Sequence, residues 1–209
     1  MKTFDIITEA DARTLEIGSS VTLRPGGHVT PLAADTLKAR RIAVLSGVAE
    51  ASLDGLAPVA DIKSIAIGSD HSGVALKATL RDHLRQGGFS VLDVGTNGPE
   101  AVDYPDIAAQ VARFVARKEV DAAIVIDGAG LGSAIAANKI AGARAAMCND
   151  KTLARYAREH NGANVLALGA TLVSVDDAKA IVDIWLATPM GEARYIRRLA
   201  KIRALEKMP

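Results

Sequence analysis

An aspartate followed by three closely spaced glycines is the feature of this chain best suited to chemistry. Asp127 directly follows the apolar run 122–126, which has the composition of a strand buried on both faces of a parallel sheet. The alanine-rich segment 133–138 then favours a helix. Free N–H groups at a helix N-terminus bind anions, and open α/β sheets place their chemistry at the carboxyl ends of strands. The turn therefore predicts an anion site. Its glycines are Gly128, Gly130 and Gly132.

The glycine spacing differs from that of a dinucleotide-binding fingerprint. The fingerprint needs its third glycine three residues after the second, in the first βα unit of the fold. Here the spacing is G-x-G-x-G, and the motif follows the third predicted strand of its domain. It indicates a compact phosphate or oxyanion cradle rather than a nucleotide-binding module. A purely structural glycine turn is the remaining alternative.

Two other turns place polar side chains at the same predicted sheet edge. Asp70 and His71 follow a strand, and a carboxylate beside an imidazole can bind sugar hydroxyls and exchange protons. The alternative is that Asp70 or Ser72 only caps the next helix. Asp103 and Tyr104 would add an acid and a phenol to the same cleft, although such a pair is also a common turn and cap.

A histidine and a basic helix complete the candidate residues. His160 and Asn161 follow a predicted helix, and their side chains can protonate or hydrogen-bond a sugar ring oxygen. Arg194, Arg198 and Lys201 form one stripe of the last predicted helix, which suits a phosphate. Each has a simpler interpretation, because a lone loop histidine or a charged helix face is commonly only a surface feature.

The elements that must position these residues alternate between strand and helix from Lys63 onward. Such alternation predicts an α/β fold, a Rossmann-like three-layer sandwich with a five-stranded parallel sheet. Trp185 lies on the apolar face of a predicted helix and is expected in the core. The predicted strands are 64–68, 90–94, 122–126, 144–147 and 164–168, and the predicted helices are 74–86, 107–117, 133–139, 151–158, 176–187 and 192–207.

The composition is that of a soluble globular protein and disfavours several partners. Apolar residues make up 49%, charged residues 23%, and the net charge is +1, so nothing favours nucleic acid or an anionic membrane. No apolar run approaches the roughly 20 residues that span a bilayer, and no secretion signal is present, which predicts a cytoplasmic protein. The single cysteine, Cys148, excludes an intrachain disulfide and a multi-cysteine metal site.

Residues 1–60 are predicted to form a small N-terminal appendage and linker, separate from the domain at 61–209. Segments 7–11 and 29–33 resemble the N-terminal segment of some ethanolamine-utilisation and bacterial-microcompartment enzymes. That resemblance implies contact with a microcompartment or a partner protein; the alternative is a small packing or oligomerisation appendage. The predicted elements are strands at 4–8, 20–23 and 40–45, helices at 9–15 and 32–39, a turn at 24–28 and a linker at 46–60.

Taken together, the motifs resemble the ribose-5-phosphate isomerase type B family, which includes the galactose-6-phosphate isomerase subunits. The match spans about residues 63–207. Each motif alone is weakly specific, but their order and spacing are those of the family. The segments that carry it are Ile65-Ala-Ile-Gly-Ser-Asp-His71, Val94-Gly-Thr96, Asp103-Tyr-Pro105, Gly128-x-Gly-x-Gly-Ser-Ala-Ile-Ala-Ala-Asn-Lys139, Arg144-Ala, Glu159-His-Asn161 and Arg194-x-x-x-Arg198.

The resemblance implies an aldose–ketose isomerase that uses no metal and no cofactor, with active sites shared across a homodimer or a dimer of dimers. Its substrate would be ribose 5-phosphate, ribulose 5-phosphate or a related four- to six-carbon sugar phosphate, converted through a cis-enediolate. Asp70, His71 and Tyr104 would contact the sugar, His160 would help to open its ring, and Asn161 would hydrogen-bond nearby. The remaining implied ligands are the N–H groups of Gly128, Gly130 and Gly132 for the enediolate, and Arg194 and Arg198 for the phosphate, with Arg144 and Arg158 as further candidates.

The chain departs from the family pattern at the catalytic position. Many members carry a cysteine base where this chain has Asp127, and others a glutamate base where it has Ser133; a hydroxyl residue often found at Ala129 is also missing. Cys148 does not match the catalytic position. The candidate catalytic residues are therefore Asp127, His160 and Ser133. Either Asp127 is the base, its pKa raised by burial and lowered by the helix N-terminus, or the chain is an inactive sugar-phosphate-binding or heteromeric structural subunit.

Overall fold

The computed structural model describes residues 2–46, 56–59, 61–190 and 193–206, without the side chains of residues 25, 26, 46, 193 and 194. The chain divides into two compact units, Met1–Asp54 and Gly55–Pro209. The boundary predicted from the sequence followed residue 60, and most of the predicted linker at 46–60 lies outside the described residues. Among the residues described, no helix combines the length and apolarity needed to cross a membrane.

The first unit is a three-stranded parallel sheet in the order β1-β2-β3, with one helix after each of the first two strands. Thr8 caps the first helix in a capping box with Asp11, and Thr30 caps the second ahead of Pro31. The elements are β1 (Thr3–Ile7), α1 (Glu9–Thr14), β2 (Ser20–Val29), α2 (Pro31–Ala39) and β3 (Ala43–Ser46). Their apolar core consists of Ile7, Ala12, Leu15, Val21, Leu23, Ala33, Leu37 and Ile42.

The predicted end of the second strand at residue 23 is wrong, because β2 continues through the segment expected to be a turn. Leu23 pairs with Phe4 and His28 pairs with Ile6, so pairing resumes after residues 24–27, which stand opposite a single residue of β1. The segment is a bulge inside a strand. Its proline and glycines correctly predicted an interruption of the hydrogen-bond ladder. They did not predict that the ladder continues beyond the interruption.

The second unit contains the predicted five-stranded parallel sheet, in the order β5-β4-β6-β8-β7. A 3-10 turn, His71–Gly73, leads from the first strand into its helix. The strands are β4 (Ser64–Ser69), β5 (Ser90–Asp93), β6 (Ala122–Asp127), β7 (Ala145–Met147) and β8 (Val165–Gly169). The helices are α3 (Val74–Gln86), α4 (Tyr104–Ala116), α5 (Leu131–Ala137), α6 (Lys151–Glu159), α7 (Val175–Ala187) and α8 (Ala193–Leu205).

Helices cover both faces of this sheet, which confirms the three-layer sandwich. Strand β6 is buried along its whole length, as the continuous apolar run predicts. Side chains of alternate parity enter two separate cores, one with α3, α6 and α7 and one with α4 and α5. Trp185 is fully buried in the first core, as predicted.

The strand order creates a crevice at the carboxyl end of the sheet. The chain leaves β4 toward β5 on one side, whereas β6 lies on the other side of β4. Connections that diverge from neighbouring strands open a cleft between their carboxyl ends, which is where open α/β sheets bind ligands. Ser69 and Asp127 end these two strands.

Candidate active site

The Asp127 carboxylate is held by backbone N–H groups at the start of α5. Its Oδ1 accepts hydrogen bonds from the N–H of Ala129, at 2.8 Å, and of Gly130, while its Oδ2 accepts from the N–H of Ser133 at 2.9 Å. The turn therefore is the predicted anion site, but its anion is the side chain that begins the turn. The N–H of Gly130 is accordingly engaged by Asp127.

This environment fixes the charge of Asp127. Burial, the largest single effect, raises the pKa of Asp127, but the Ser133 side chain and the N–H groups of the turn outweigh it, so the pKa lies below its ordinary value. Sequence reasoning left these opposing effects unresolved. In the structure the ionised form is favoured, because three backbone N–H groups donate to the carboxylate.

Ser133 contributes a buried hydroxyl beside this carboxylate. Its side chain is fully buried and favours the charged form of Asp127. The contact lacks the geometry of a hydrogen bond, because no hydrogen-bond partner of the Ser133 Oγ exists among the described residues.

The thiol of Cys148 is not a candidate nucleophile or base, since burial raises its pKa to about 12 and makes it unreactive.

The glycine turn is pressed against the end of β8. Gly130 has φ +77°, and a Cβ there would lie 2.9 Å from the carbonyl carbon of Leu168. Both the N–H and the Oγ1 of Thr171 donate to the carbonyl of Gly128, at 3.0 and 2.6 Å. Sequence reasoning missed Thr171, although its place just after a predicted strand at the carboxyl end of the sheet was a usable signal.

The Asp70 side chain caps the following helical turn, as the simpler of the two interpretations of this residue predicts. Its Oδ1 accepts from the N–H and Oγ of Ser72, at 2.9 and 2.6 Å, and from the N–H of Gly73 at 3.2 Å. None of these bonds uses Oδ2, so capping does not exclude a second role. Ser72 borders the glycine turn, because a Cβ on Gly128 would lie 3.7 Å from its Oγ.

His71 and Tyr104 border the same crevice from two neighbouring turns. The exposed His71 ring accepts, through Nδ1, a hydrogen bond from the N–H of Val102 at 3.5 Å. The Tyr104 ring lies directly on the glycine turn, since a Cβ on Gly132 would come within 2.5 Å of it. The structure thus brings together Asp70, His71, Tyr104, Asp127, Ser133 and the three glycines.

A buried lysine that sequence reasoning missed holds the loop beside Asp70. Lys77 is almost fully buried, and its Nζ donates to Asp93 and, at 2.8 Å, to Asn97. Within the loop so held, the carbonyl of Gly95 and the N–H of Thr96 each bond to the Ser69 backbone at 2.8 Å. This network explains the Val94-Gly-Thr96 motif, because it fixes the end of β4 from which Asp70 projects.

His160 and Asn161 lie at the opposite end of the sheet. They follow α6 and precede the first residue of β8. The His160 ring stacks between Tyr156 and Tyr195, with centroid distances of 4.6 and 4.7 Å. The Asn161 amide donates to the carbonyl of Tyr156 at 3.3 Å.

The exposed Arg198 belongs to this second group, with its guanidinium 5.8 Å from the centroid of the Tyr195 ring. Arg194 lies in α8 as well, but its side chain is outside the described part of the chain.

One chain therefore carries two half-sites that do not meet. Asp127 pairs with Gly169 at the carboxyl end of the sheet, whereas His160 precedes Val165 at the amino end. Four residue steps along a strand separate these ends by about 13 Å of backbone. We call the group around Asp127 the carboxyl half-site and the group around His160 the amino half-site.

Arg158 does not fit the phosphate role that the family resemblance offered. Its side chain is only 1% exposed, its guanidinium stacks on Trp185 at 4.8 Å, and it donates to the carbonyls of Ala163 and Val59. Burial lowers the pKa of Arg158 to about 10, and the charge of Arg144 adds to the effect. Arg144 also donates to two carbonyls, those of Gly162 and Leu56.

Comparison with known proteins agrees with the fold of the second unit. The family model for ribose/galactose isomerase matches residues 65–202. The chain is 45% identical over 146 residues to ribose-5-phosphate isomerase B of Escherichia coli, covering 70% of this chain and 98% of that protein. It is 40% identical over 148 residues to D-erythrulose-4-phosphate isomerase of Pectobacterium atrosepticum, covering 69% and 97%.

A solved structure of similar sequence is that of Clostridium thermocellum ribose-5-phosphate isomerase B. It superposes with a TM-score of 0.68 at 49% identity, over 69% of this chain and 97% of that one. The second unit of the chain thus corresponds to nearly the whole of each of these proteins. The chain belongs to the ribose/galactose isomerase family and is a sugar-phosphate isomerase.

Proposed function

We propose that the chain interconverts an aldose phosphate and a ketose phosphate through a cis-enediolate, with Asp127 as the base. The observation that carries this proposal is an ionised, nearly buried carboxylate at the end of β6, in the crevice of the sheet. In the aldose-to-ketose direction, the base takes the proton from C2 and returns it to C1, while a proton passes between the two oxygens. A single carboxylate can serve both carbons because they are adjacent.

The hydrogen bonds of Asp127 indicate which oxygen moves the proton. Oδ1 accepts two N–H groups, which occupy both of its lone pairs, whereas Oδ2 accepts only one from the residues that the structure describes, that of Ser133. The free lone pair of Oδ2 is therefore the site that would take the proton. The buried Ser133 hydroxyl beside it can donate to the enediolate by rotating its O–H group.

The other residues of the two half-sites take the binding roles implied by the family. Asp70, through its Oδ2, His71 and Tyr104 would contact the sugar hydroxyls, and the N–H groups of Gly128 and Gly132 would lie near the enediolate oxygens, since that of Gly130 is engaged by Asp127. His160 would assist ring opening, and Asn161 would hydrogen-bond close by. Arg194 and Arg198 would bind the phosphate.

A complete site requires a second copy of the chain. The amino half-site of one copy would meet the carboxyl half-site of the other, in a homodimer or a dimer of dimers. An apolar stripe supports this assembly, because Leu131 and Ile135 are 57% and 64% exposed on one face of α5, next to the glycine turn. Residues 1–60 would contact a microcompartment or partner protein, and the enzyme would act in the cytoplasm within such a compartment.

The substrate proposed is ribose 5-phosphate or ribulose 5-phosphate, or a related four- to six-carbon sugar phosphate. The relatives named for ribose 5-phosphate and D-erythrulose 4-phosphate support this range. The test is an isomerase assay with aldose and ketose phosphates of four, five and six carbons, with the products identified by NMR. Turnover of at least one pair is expected. Failure with every pair, by a protein that still binds them, would refute the proposal.

A further inference from the structure

Residues 56–59 lie outside the region matched by the isomerase family model, which starts at residue 65, yet they belong to the second unit of the structure. Leu56 is only 2% exposed and is among the most deeply buried large side chains of the protein. Val59, by contrast, is 43% exposed. We call residues 56–59 the strap.

Two arginines each join the strap to the loop that carries His160 and Asn161. Arg144 donates from Nη2 to the carbonyl of Leu56, at 3.1 Å, and from Nε to the carbonyl of Gly162, at 2.9 Å. Arg158 donates from Nη2 to the carbonyl of Val59, at 3.0 Å, and from Nη1 to the carbonyl of Ala163, at 2.9 Å. Each planar guanidinium thus fixes two backbone segments relative to each other.

The strap also packs against the loop. Gly162 has φ +54°, and a Cβ there would lie 3.2 Å from the Cδ of Pro58 and 2.7 Å from a methyl of Leu199 on α8. The residue immediately after Asn161 therefore sits between the strap and the helix that carries Arg198. Arg158 cannot readily shift, because it is buried and stacked on Trp185.

We propose that the strap positions His160 and Asn161 for the isomerase reaction through the paired arginines, as an addition to the family domain. The inference rests on the proposed role of His160. Without the strap, Arg144 and Arg158 each lose one of two carbonyl acceptors, and the Gly162 loop loses a packing neighbour. A misplacement of about 1 Å in a catalytic group can cost about 10²-fold in rate.

The test compares Leu56→Asp with Val59→Asp in the full-length chain, by kinetics and by NMR of the histidine rings. The chain has four histidines, so the His160 signal can be assigned by comparison with His160→Asn. Leu56→Asp is expected to shift or broaden the His160 signal, to leave those of His71 and His83 in place, and to lower kcat about 10²-fold. Val59→Asp should do neither, because its side chain is already exposed.

A pair of truncations gives an independent measurement. The second unit corresponds to nearly the whole length of the family relatives, so it is expected to fold alone. Removing residues 1–54 keeps the strap and should preserve kcat and the His160 signal, whereas removing 1–60 should change both. An unchanged His160 signal in Leu56→Asp and in the shorter chain would overturn the inference. A displaced His160 with unchanged kcat would instead refute the catalytic role of His160.

Discussion

At the scale of single residues, the observed role of Asp127 in the turn opposes its proposed role as the base. As the ligand of three N–H groups it stabilises the turn into α5, and the same bonds lower its pKa and hence its strength as a base. A weak base that is ionised at neutral pH can still work when the donors are already in place, since no reorganisation is needed as charge moves. The cost in basicity is thus offset by preorganisation.

The capping role predicts a pH-dependent contribution to stability. Asp127→Asn should lower the free energy of unfolding at pH 7 by roughly 1.5–3 kcal/mol. The reason is that an amide has a single acceptor oxygen, so its NH₂ group faces the N–H of Ser133 and leaves that donor without an acceptor. The folded-state pKa lies below the unfolded value of about 3.9, so the contribution is complete above that pH. It is lost as the pH falls through the folded-state pKa.

Chemical denaturation of wild type and Asp127→Asn at pH 7 and at acid pH below the unfolded value of about 3.9 would measure this contribution. Ser133→Ala separates the backbone bonds from the side chain, because it keeps the N–H that binds Oδ2 but removes the hydroxyl that also lowers the Asp127 pKa. A difference in stability that stays constant into the acid range would contradict the capping role.

Sequence reasoning named most of the candidate residues of the two half-sites, but it missed Thr171 and many of the contacts. The carboxyl end of an apolar run was enough to find Asp127, because parallel strands deliver their last residues to one edge. The sequence could not show that the carboxylate would accept hydrogen bonds from its own turn. That depends on the positive φ of Gly130 and on the close packing of Gly130 against the end of β8. Lys77 was missed because a lysine on a helix usually faces solvent.

At the scale of elements, α8 combines a packed face and an exposed basic face. Tyr195 and Leu199 are buried, whereas Arg197 and Arg198 are exposed. The predicted phosphate stripe includes Arg198 but not Arg197, which is turned by about 100° around the helix axis. The two arginines therefore form a matched pair for mutation.

Arg198→Ala should weaken the binding of a sugar phosphate by roughly 1.5–3 kcal/mol, the loss of a charged hydrogen bond. Arg197→Ala should change it little, and neither variant should alter the binding of the same sugar without phosphate. Calorimetric titration of both variants would measure the effect. Equal losses for the phosphorylated and unphosphorylated ligands would indicate that the helix has a docking role instead.

Element prediction succeeded where periodicity and burial agree. All five strands of the second unit and their parallel pairing follow from short apolar runs alternating with helical segments. The segment at 24–28 shows the limit, because proline and glycine mark a break in hydrogen bonding whether the chain turns or only bulges. Only the neighbouring strand decides between these outcomes.

At the scale of the whole molecule, two half-sites at opposite ends of one sheet predict that activity requires an assembly. Asp127→Asn and His160→Asn should each be inactive alone as homodimers. In an equal mixture after subunit exchange, about half the dimers contain both variants, and each of these has one intact site. About a quarter of wild-type activity should therefore return.

Activity measured before and after exchange, with dimer formation followed by sedimentation, tests this prediction. Mixing each variant with itself is the control. No recovery in a mixture that demonstrably forms hybrid dimers would show that each chain completes its own site.

Hydrogen exchange at C2 of the substrate shows whether Asp127 carries the proton. Wild type turning over an aldose phosphate in D₂O should leave deuterium at C2 of the recovered aldose, whereas Asp127→Asn should lose exchange and turnover by about 10²–10⁴-fold. Affinity for a phosphorylated inhibitor should survive, since Arg198 is untouched. Exchange by Asp127→Asn at the wild-type rate would show that Asp127 is not the base. Wild type that bound sugar phosphates but neither converted nor exchanged any of them would be an inactive binding subunit instead.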